Sequence, residues 1–331
     1  MAGRSNSKKF KNMHAVKQTF DGGGLWSMIR DSLKRDHQRK PAQALEPVKF
    51  DATAWANLDE DAYAWFGHSS YMLKVAGKTV LVDPVLAMSY MPVRGLGGRR
   101  YQARVPLTVD EVPAVDVLLI THNHYDHLNR PTIQAIHGRV KHIVTSVGVA
   151  PLLRRWGVPA DKITELAWWE AIDFAEFGIR ITGTPAQHFS GRGLFDRDAS
   201  HWNSYVLEAG ERRVYCGGDS GYGPHFREIG ERFGPFDVTL LDTGQYDDRW
   251  RVVHMNPEDS VQAHLDLRGK QYVPVHWGAF TLAFHDWNDP AVRATAAAEA
   301  RGVAVTIPRV GEIVRLADMP YIGGSPAWWT L

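Results

Sequence analysis

Residues 121–129 fix most of what this chain can become: they read THNHYDHLN and follow directly on the apolar run VDVLLI. The run is short and rich in Val, Leu and Ile, the pattern of a strand buried on both faces. Where it stops, His122, His124, Asp126 and His127 crowd into six consecutive positions. Side chains two apart share a face in extended or turning backbone, so His122 and His124 can converge on one ion while Asp126 and His127 turn toward a second. Imidazole and carboxylate together suit a borderline dication such as zinc, with iron or manganese as alternatives. The plain alternative is a solvated, His-rich loop, and the pattern HxHxDH after a hydrophobic strand argues against it.

Two metals need more ligands. His188 follows the strand-like IRITGTPAQ, Asp219 ends VYCGGD, and His276 ends QYVPVH. Each lies at the carboxyl end of an apolar segment, where α/β sheets place their sites. A lone histidine at a strand end is more often structural, but with the loop these three complete a set.

The order HxHxDH, lone His, lone Asp, lone His resembles the metallo-β-lactamase superfamily. The resemblance spans about residues 62–316 and implies an α/β fold, the four-layer αββα metallo-β-lactamase sandwich. It implies that His122, His124 and His188 hold one metal, that Asp126, His127 and His276 hold the other, and that Asp219 bridges them with a shared hydroxide. Longer stretches narrow it: WFGHSS (65–70), VDP (82–84), THNHYDHLN, PAQH (185–188), GGDSGY (217–222), FGPFD (233–237), HMNPED (254–259) and HWGAF (276–280). These are similar to the N-acylphosphatidylethanolamine-hydrolysing phospholipase D branch, which sits beside lactone hydrolases resembling ascorbate-6-phosphate lactonase. Ser220 departs conservatively from the threonine of that branch. By this resemblance Asp126 and His254 are catalytic groups, His254 orienting substrate or donating a proton; a plain helix-start role is its alternative. His68 is expected beneath the metals without ligating them, Asp83 as the carboxylate that orients a ligand histidine, and Tyr246 as a further side chain reaching the pocket.

The chain has 331 residues and no Gly/Ser/Pro linker after residue 50, so a hydrolase domain is expected over 51–331 behind a basic extension over 1–50. Charges nearly cancel overall (+1), yet residues 1–40 hold ten Lys/Arg against three Asp/Glu, which makes the catalytic body no evident polyanion binder. Within the extension, GLWSMIRDSLKRD places Leu25, Met28, Ile29 and Leu33 on one helical face. Such a short amphipathic helix packs on the domain or a partner subunit, or rests peripherally on an anionic membrane. The leader is too interrupted by charge for a secretory signal, and no apolar stretch approaches a bilayer span. The single cysteine, Cys216, permits no intrachain disulfide and makes a reducing cytoplasm the default; its expected role is a buried small residue in the strand before Asp219.

A coarse reading sets strands at 63–75, 79–83, 140–145, 203–207, 213–216 and 238–242, closing strands near 303–307 and 312–316, and helices opening at Asn129, Val149, His225, Asn256 and Asp289. The expected function is a dinuclear hydrolase, a phosphodiesterase of phospholipase D type acting on a lipid or small-molecule phosphodiester. A lactone or ester hydrolase is the alternative. A nucleic-acid enzyme ranks third because the basic residues lie at the extreme N-terminus, and a non-enzymatic metal-binding module ranks last because the ligand set is complete. The phospholipase resemblance also implies a homodimer.

Overall fold

In the strand VDVLLI, Val117 and Leu119 point into one core while Leu118 and Ile120 point into another. This alternation is why an uninterrupted apolar run forms a strand here: both faces are covered. The computed structural model describes residues 9–14, 27, 28, 30, 31, 37–92, 98–193, 195–324 and 326–330. Within them lie β1 (Ala62–Trp65), β2 (Tyr71–Val75), β3 (Lys78–Val82), β4 (Val115–Ile120), β5 (Val140–Ser146), β6 (Ile163–Leu166), β7 (Ala171–Phe174), β8 (Ile179–Pro185), β9 (Asn203–Ala209), β10 (Arg212–Cys216), β11 (Phe236–Asp242), β12 (Gly269–Val275), β13 (Ala304–Val305) and β14 (Ile313–Arg315). They build two seven-stranded sheets, ordered β14-β1-β2-β3-β4-β5-β6 and β13-β12-β11-β10-β9-β8-β7.

Three cores separate four layers. Val80, Val82, Val117 and Leu119 of the first sheet meet Leu207, Val214, Leu240 and Val273 of the second between the sheets. Outside the first sheet, Leu81, Leu118 and Ile120 pack on Ile133 and Ile136 of helix α2 (Arg130–Ile136) and Leu153 of α3 (Ala150–Arg155), after the short α1 (Ala52–Ala56). Outside the second, Val206, Tyr215 and Tyr272 pack on α4 (His225–Phe233), α5 (Pro257–Asp266) and α6 (Asp289–Ala300). This is the four-layer αββα sandwich.

The helix starts follow local chemistry. The Asn129 side chain accepts from Thr132 N–H with Pro131 in the first turn, and Asn256 accepts from Asp259 N–H with Pro257 behind it. One expected strand is corrected: 63–75 is two strands. Gly67 at φ +86° and His68 at φ 56° turn the chain back, because a left-handed pair cannot continue a pleat. Two strands were also missed, β6 and β7, whose mixed sequences ITEL and AIDF carry little periodic signal.

Residues 37–50 run along the domain, with Leu45 bridged to Gln102 and Val48 N–H bonded to Val310 O. Of the proposed amphipathic helix, Leu25, Ile29 and Leu33 lie outside the described residues. Ser27 and Asp31, which are described, bond to Arg249. Among the described residues no helix is long and apolar enough to cross a membrane.

Candidate metal centre

Every group selected from the sequence as a ligand lies just beyond a strand's carboxyl end. The loop 121–129 follows β4, His188 follows β8, Asp219 follows β10 and His276 follows β12; Asp83 follows β3. Parallel pairing of β3-β4 and of β10-β11-β12 brings these ends to one rim, and all seven side chains are largely or wholly removed from solvent.

His122, His124, His188 and Asp219 offer donor atoms that all lie within 4.8 Å of one another. His122 Nε2 is 2.9 Å from His124 Nδ1, which is 3.2 Å from His188 Nε2. Asp219 Oδ2 stands 3.7 Å from His122 Nε2 and 3.6 Å from His188 Nε2. A tetrahedral ion with bonds of about 2.0–2.1 Å has ligand–ligand edges of about 3.3 Å, so this spacing suits one dication.

The other oxygen of Asp219 faces the opposite way. Its Oδ1 is 3.0 Å from His127 Nε2 and 3.1 Å from His276 Nδ1, and His127 Nε2 is 3.6 Å from Asp126 Oδ2. Among the described residues neither Asp219 Oδ1 nor His127 Nε2 has a hydrogen-bond partner, although both are buried. Buried polar atoms without partners are costly, and a cation between them would satisfy both. The donor set therefore fits two divalent ions.

Hydrogen bonds behind these atoms set the tautomers. Asp83 Oδ2 accepts from His127 Nδ1 (2.8 Å) and from the Thr121 hydroxyl (2.6 Å), while Oδ1 accepts from Thr121 N–H (2.9 Å). With its proton given to Asp83, Thr121 Oγ accepts from His122 Nδ1 at 3.0 Å. His188 Nδ1 donates to Val253 O at 3.0 Å. In all three imidazoles Nε2 is left with its lone pair toward the cluster. His68 Nε2 donates to Asp126 Oδ2 at 2.8 Å, the contact of a group beneath the ligands, and its ring joins the cluster of Asp126, His127 and His276.

Burial sets the charge state. It drives His122, His188 and His276 well below the ordinary histidine value and His124 down to about 3, with neighbouring imidazoles adding to the effect for His122. These rings are neutral at pH 7, each with an unprotonated nitrogen, as a cation requires. Burial also pushes Asp219 up to about 6. His127 is the exception: burial would lower it, but the charges of Asp219 and Asp126 lift it well above the usual range, and a cation at Nε2 would take the place of that proton.

His68 at φ 56° and His276 at φ 69° both carry left-handed backbone, worth about 1–3 kcal/mol of strain each. They hold each other in place: His276 N–H donates to His68 O (3.0 Å) and His68 N–H to Trp277 O (2.7 Å). The buried Arg100 guanidinium supports the same turn by donating to Phe66 O and Val85 O.

His254 reaches the cluster. A donor atom of its ring lies within 4.8 Å of donors on Asp219 and His276, the ring stacks on His276 at 5.1 Å, and its Nδ1 pairs with Asp242 Oδ2 at 2.9 Å. Asp242 was missed from the sequence, although it ends β11 as the other site carboxylates end their strands. Tyr246 is the correction. Its hydroxyl bonds Asp289, its ring stacks on His285, and Arg293 covers it; these partners hold it in a separate cavity lined by no candidate ligand. Cys216 is buried at the end of β10, its thiol pushed up to about 12 by burial, and lies outside the ligand groups.

Known proteins are similar to this chain in sequence and fold. The model of the β-lactamase superfamily domain matches residues 78–277. An uncharacterised protein of Mycobacterium tuberculosis is 42% identical over 300 residues, covering 89% of this chain and 79% of its own. The N-acyl-phosphatidylethanolamine-hydrolyzing phospholipase D 1 of Caenorhabditis elegans is 31% identical over 297 residues, covering 84% of this chain and 82% of its own. A possible metal-dependent hydrolase of Veillonella parvula superposes with a TM-score of 0.61 at 20% identity, over 77% of this chain and 99% of its own, and supports the fold. Fold, ligand order and kinship agree: the chain belongs to the metallo-β-lactamase superfamily of metal-dependent hydrolases.

Proposed function

We propose that this protein is a dinuclear hydrolase that cleaves the phosphodiester of an N-acylphosphatidylethanolamine-like lipid, releasing the N-acylethanolamine and leaving phosphatidic acid. One observation carries the reading: the two oxygens of Asp219 face two separate ligand groups, His122/His188 on one side and His127/His276 on the other. His122, His124 and His188 would hold one ion, Asp126, His127 and His276 the second, and Asp219 would bridge them. Zinc fits the donors best, with iron or manganese as alternatives. Bound there, the ions supply an acidified water and positive charge for the phosphoryl oxygens.

The chain's own groups do the rest. With Asp126 and Asp219 ionised, two dications leave an excess of positive charge that complements a phosphodiester monoanion. Asp83 and Thr121 keep the ligand lone pairs pointed inward. His68 holds Asp126 in place. His254, anchored by Asp242, is placed to orient the phosphate or to hand a proton to the departing alkoxide. The likeness to the nematode enzyme along 84% of this chain supports the lipid substrate.

The test is a purified-protein assay on an N-acylphosphatidylethanolamine, an aryl phosphodiester and a sugar lactone, each with and without chelator. Chelator-sensitive cleavage of the lipid and the aryl diester is expected. Activity on the lactone alone would replace this reading with the ester hydrolase alternative.

A further inference from the structure

His188 lies beyond the end of β8, where no strand among the described residues pairs with it. Its backbone is nonetheless bonded on both sides, by a residue 176 positions away. Asn12 Nδ2 donates to His188 O at 2.9 Å, and His188 N–H donates to Asn12 Oδ1 at 3.0 Å. A primary amide has one donor side and one acceptor side, so Asn12 does for His188 what the peptide of an adjacent strand would do. Trp202 Nε1 also donates to Asn12 Oδ1 at 3.0 Å, fixing the amide from a third direction.

The segment that carries Asn12 is docked on its own account. Phe10 N–H donates to Asp198 O at 2.9 Å, and the Phe10 ring packs on His201 with centroids 4.7 Å apart. Phe10 and Asn12 are half-buried while Lys9 and Lys11 are exposed, the alternation of an extended strap with one face on the domain. The side chain of His188 is tied at Nδ1 to Val253 O; the strap ties its backbone.

We infer that residues 9–14 are part of the metal centre, with Asn12 the positioning residue that holds His188 in ligating geometry. The inference rests on the reading above that His188 ligates a metal. Groups that orient ligands this way typically change metal affinity by about 10–100-fold when removed. The N-terminal arm is then a structural element of the site and not an appendage to it.

Full-length wild type, Asn12→Ala, Asn12→Asp and His188→Ala are compared by zinc affinity against a competing chelator and by the visible spectrum of the cobalt(II)-loaded proteins. Melting temperatures of the metal-free proteins are measured alongside. Asn12→Ala is expected to weaken the ion that His188 would hold at least tenfold and to alter the cobalt spectrum, with the metal-free melting temperature close to wild type. Asn12→Asp keeps the acceptor contacts but sets an acceptor oxygen against His188 O where the amide donated, so it should weaken the metal at least as much as alanine does; it decides the matter if the alanine variant does not fold. If His188→Ala weakens the metal while the Asn12 variants bind within twofold of wild type with unchanged spectra, the strap's role is overturned and the ligand reading stands. If His188→Ala itself binds both ions as wild type does, the ligand reading fails and the inference falls with it.

Discussion

Asp83→Asn should weaken the binding of one metal ion without removing the fold, and the reason is a single proton. Asp83 is fully buried and accepts three hydrogen bonds, from Thr121 N–H, the Thr121 hydroxyl and His127 Nδ1. Asparagine keeps the size, and it tolerates the φ of 40° at this position as aspartate does. Its oxygen can keep the bond from Thr121 N–H, and Thr121 Oγ can turn to accept from the new amide. His127 has no such freedom: facing a donor, Nδ1 must accept, so the ring proton moves to Nε2. That atom lies 3.0 Å from Asp219 Oδ1, and once protonated it has no lone pair for a cation. The expected loss is about 10–100-fold in affinity for one ion, or about 1.4–2.7 kcal/mol. Asp83→Ala, by contrast, strands three buried donors and should cost about 3–6 kcal/mol of fold stability. Zinc per chain across a series of chelator-buffered free-zinc concentrations reads the first effect; denaturant midpoints of the metal-free proteins read the second. An asparagine variant that binds two ions at wild-type affinity would refute the tautomer argument.

Other consequences are equally direct. Gly221→Ala places a Cβ 2.1 Å from Val252 O, backbone that cannot yield, so the segment carrying His254 must shift; activity should fall more than tenfold while zinc content stays at wild type, and a variant of full activity would speak against this packing. Burial lowers His201 and His264 to about 4 and His225 to about 3. Because these folded-state values lie below the unfolded value near 6.5, stability is complete above pH 6.5 and falls below it as the unfolded chain takes up protons. Each group contributes a slope of about 1.4 kcal/mol per pH unit, so urea midpoints of the metal-free protein should drop steadily from pH 6.5 to 4.5; a flat profile would contradict it. His254→Ala should lower kcat at least a hundredfold with both metals retained, measured by elemental analysis beside the lipid assay; if zinc is lost in step with activity, His254 is a ligand and not a substrate-side group.

The candidate ligands were legible because each sits at a strand end that announces itself: VDVLLI before His122, IRITGTPAQ before His188 and QYVPV before His276 are apolar runs halted by a donor. Asp242 satisfied the same criterion, at the end of VTLLD, and was passed over because no family motif drew attention to it. The break at Gly67-His68 was hidden inside a sequence that alternates well enough to read as one strand. Its cause is distant, since the turn is held by Arg100 and by the backbone of His276 and Trp277. Asn12 could not be found from the sequence at all, because nothing local marks an asparagine that serves a histidine 176 residues away. Tyr246 was misplaced for a related reason: its segment TGQYDDRW says nothing about Asp289 and Arg293, which hold it elsewhere.

The central claim is that Asp219 stands between two ions. Anomalous diffraction at the zinc edge from zinc-loaded crystals tests it most directly. Two peaks are expected, one bounded by His122, His124 and His188, the other by Asp126, His127 and His276, each beside a different oxygen of Asp219. A single peak, or zinc bound away from these side chains, would contradict the account.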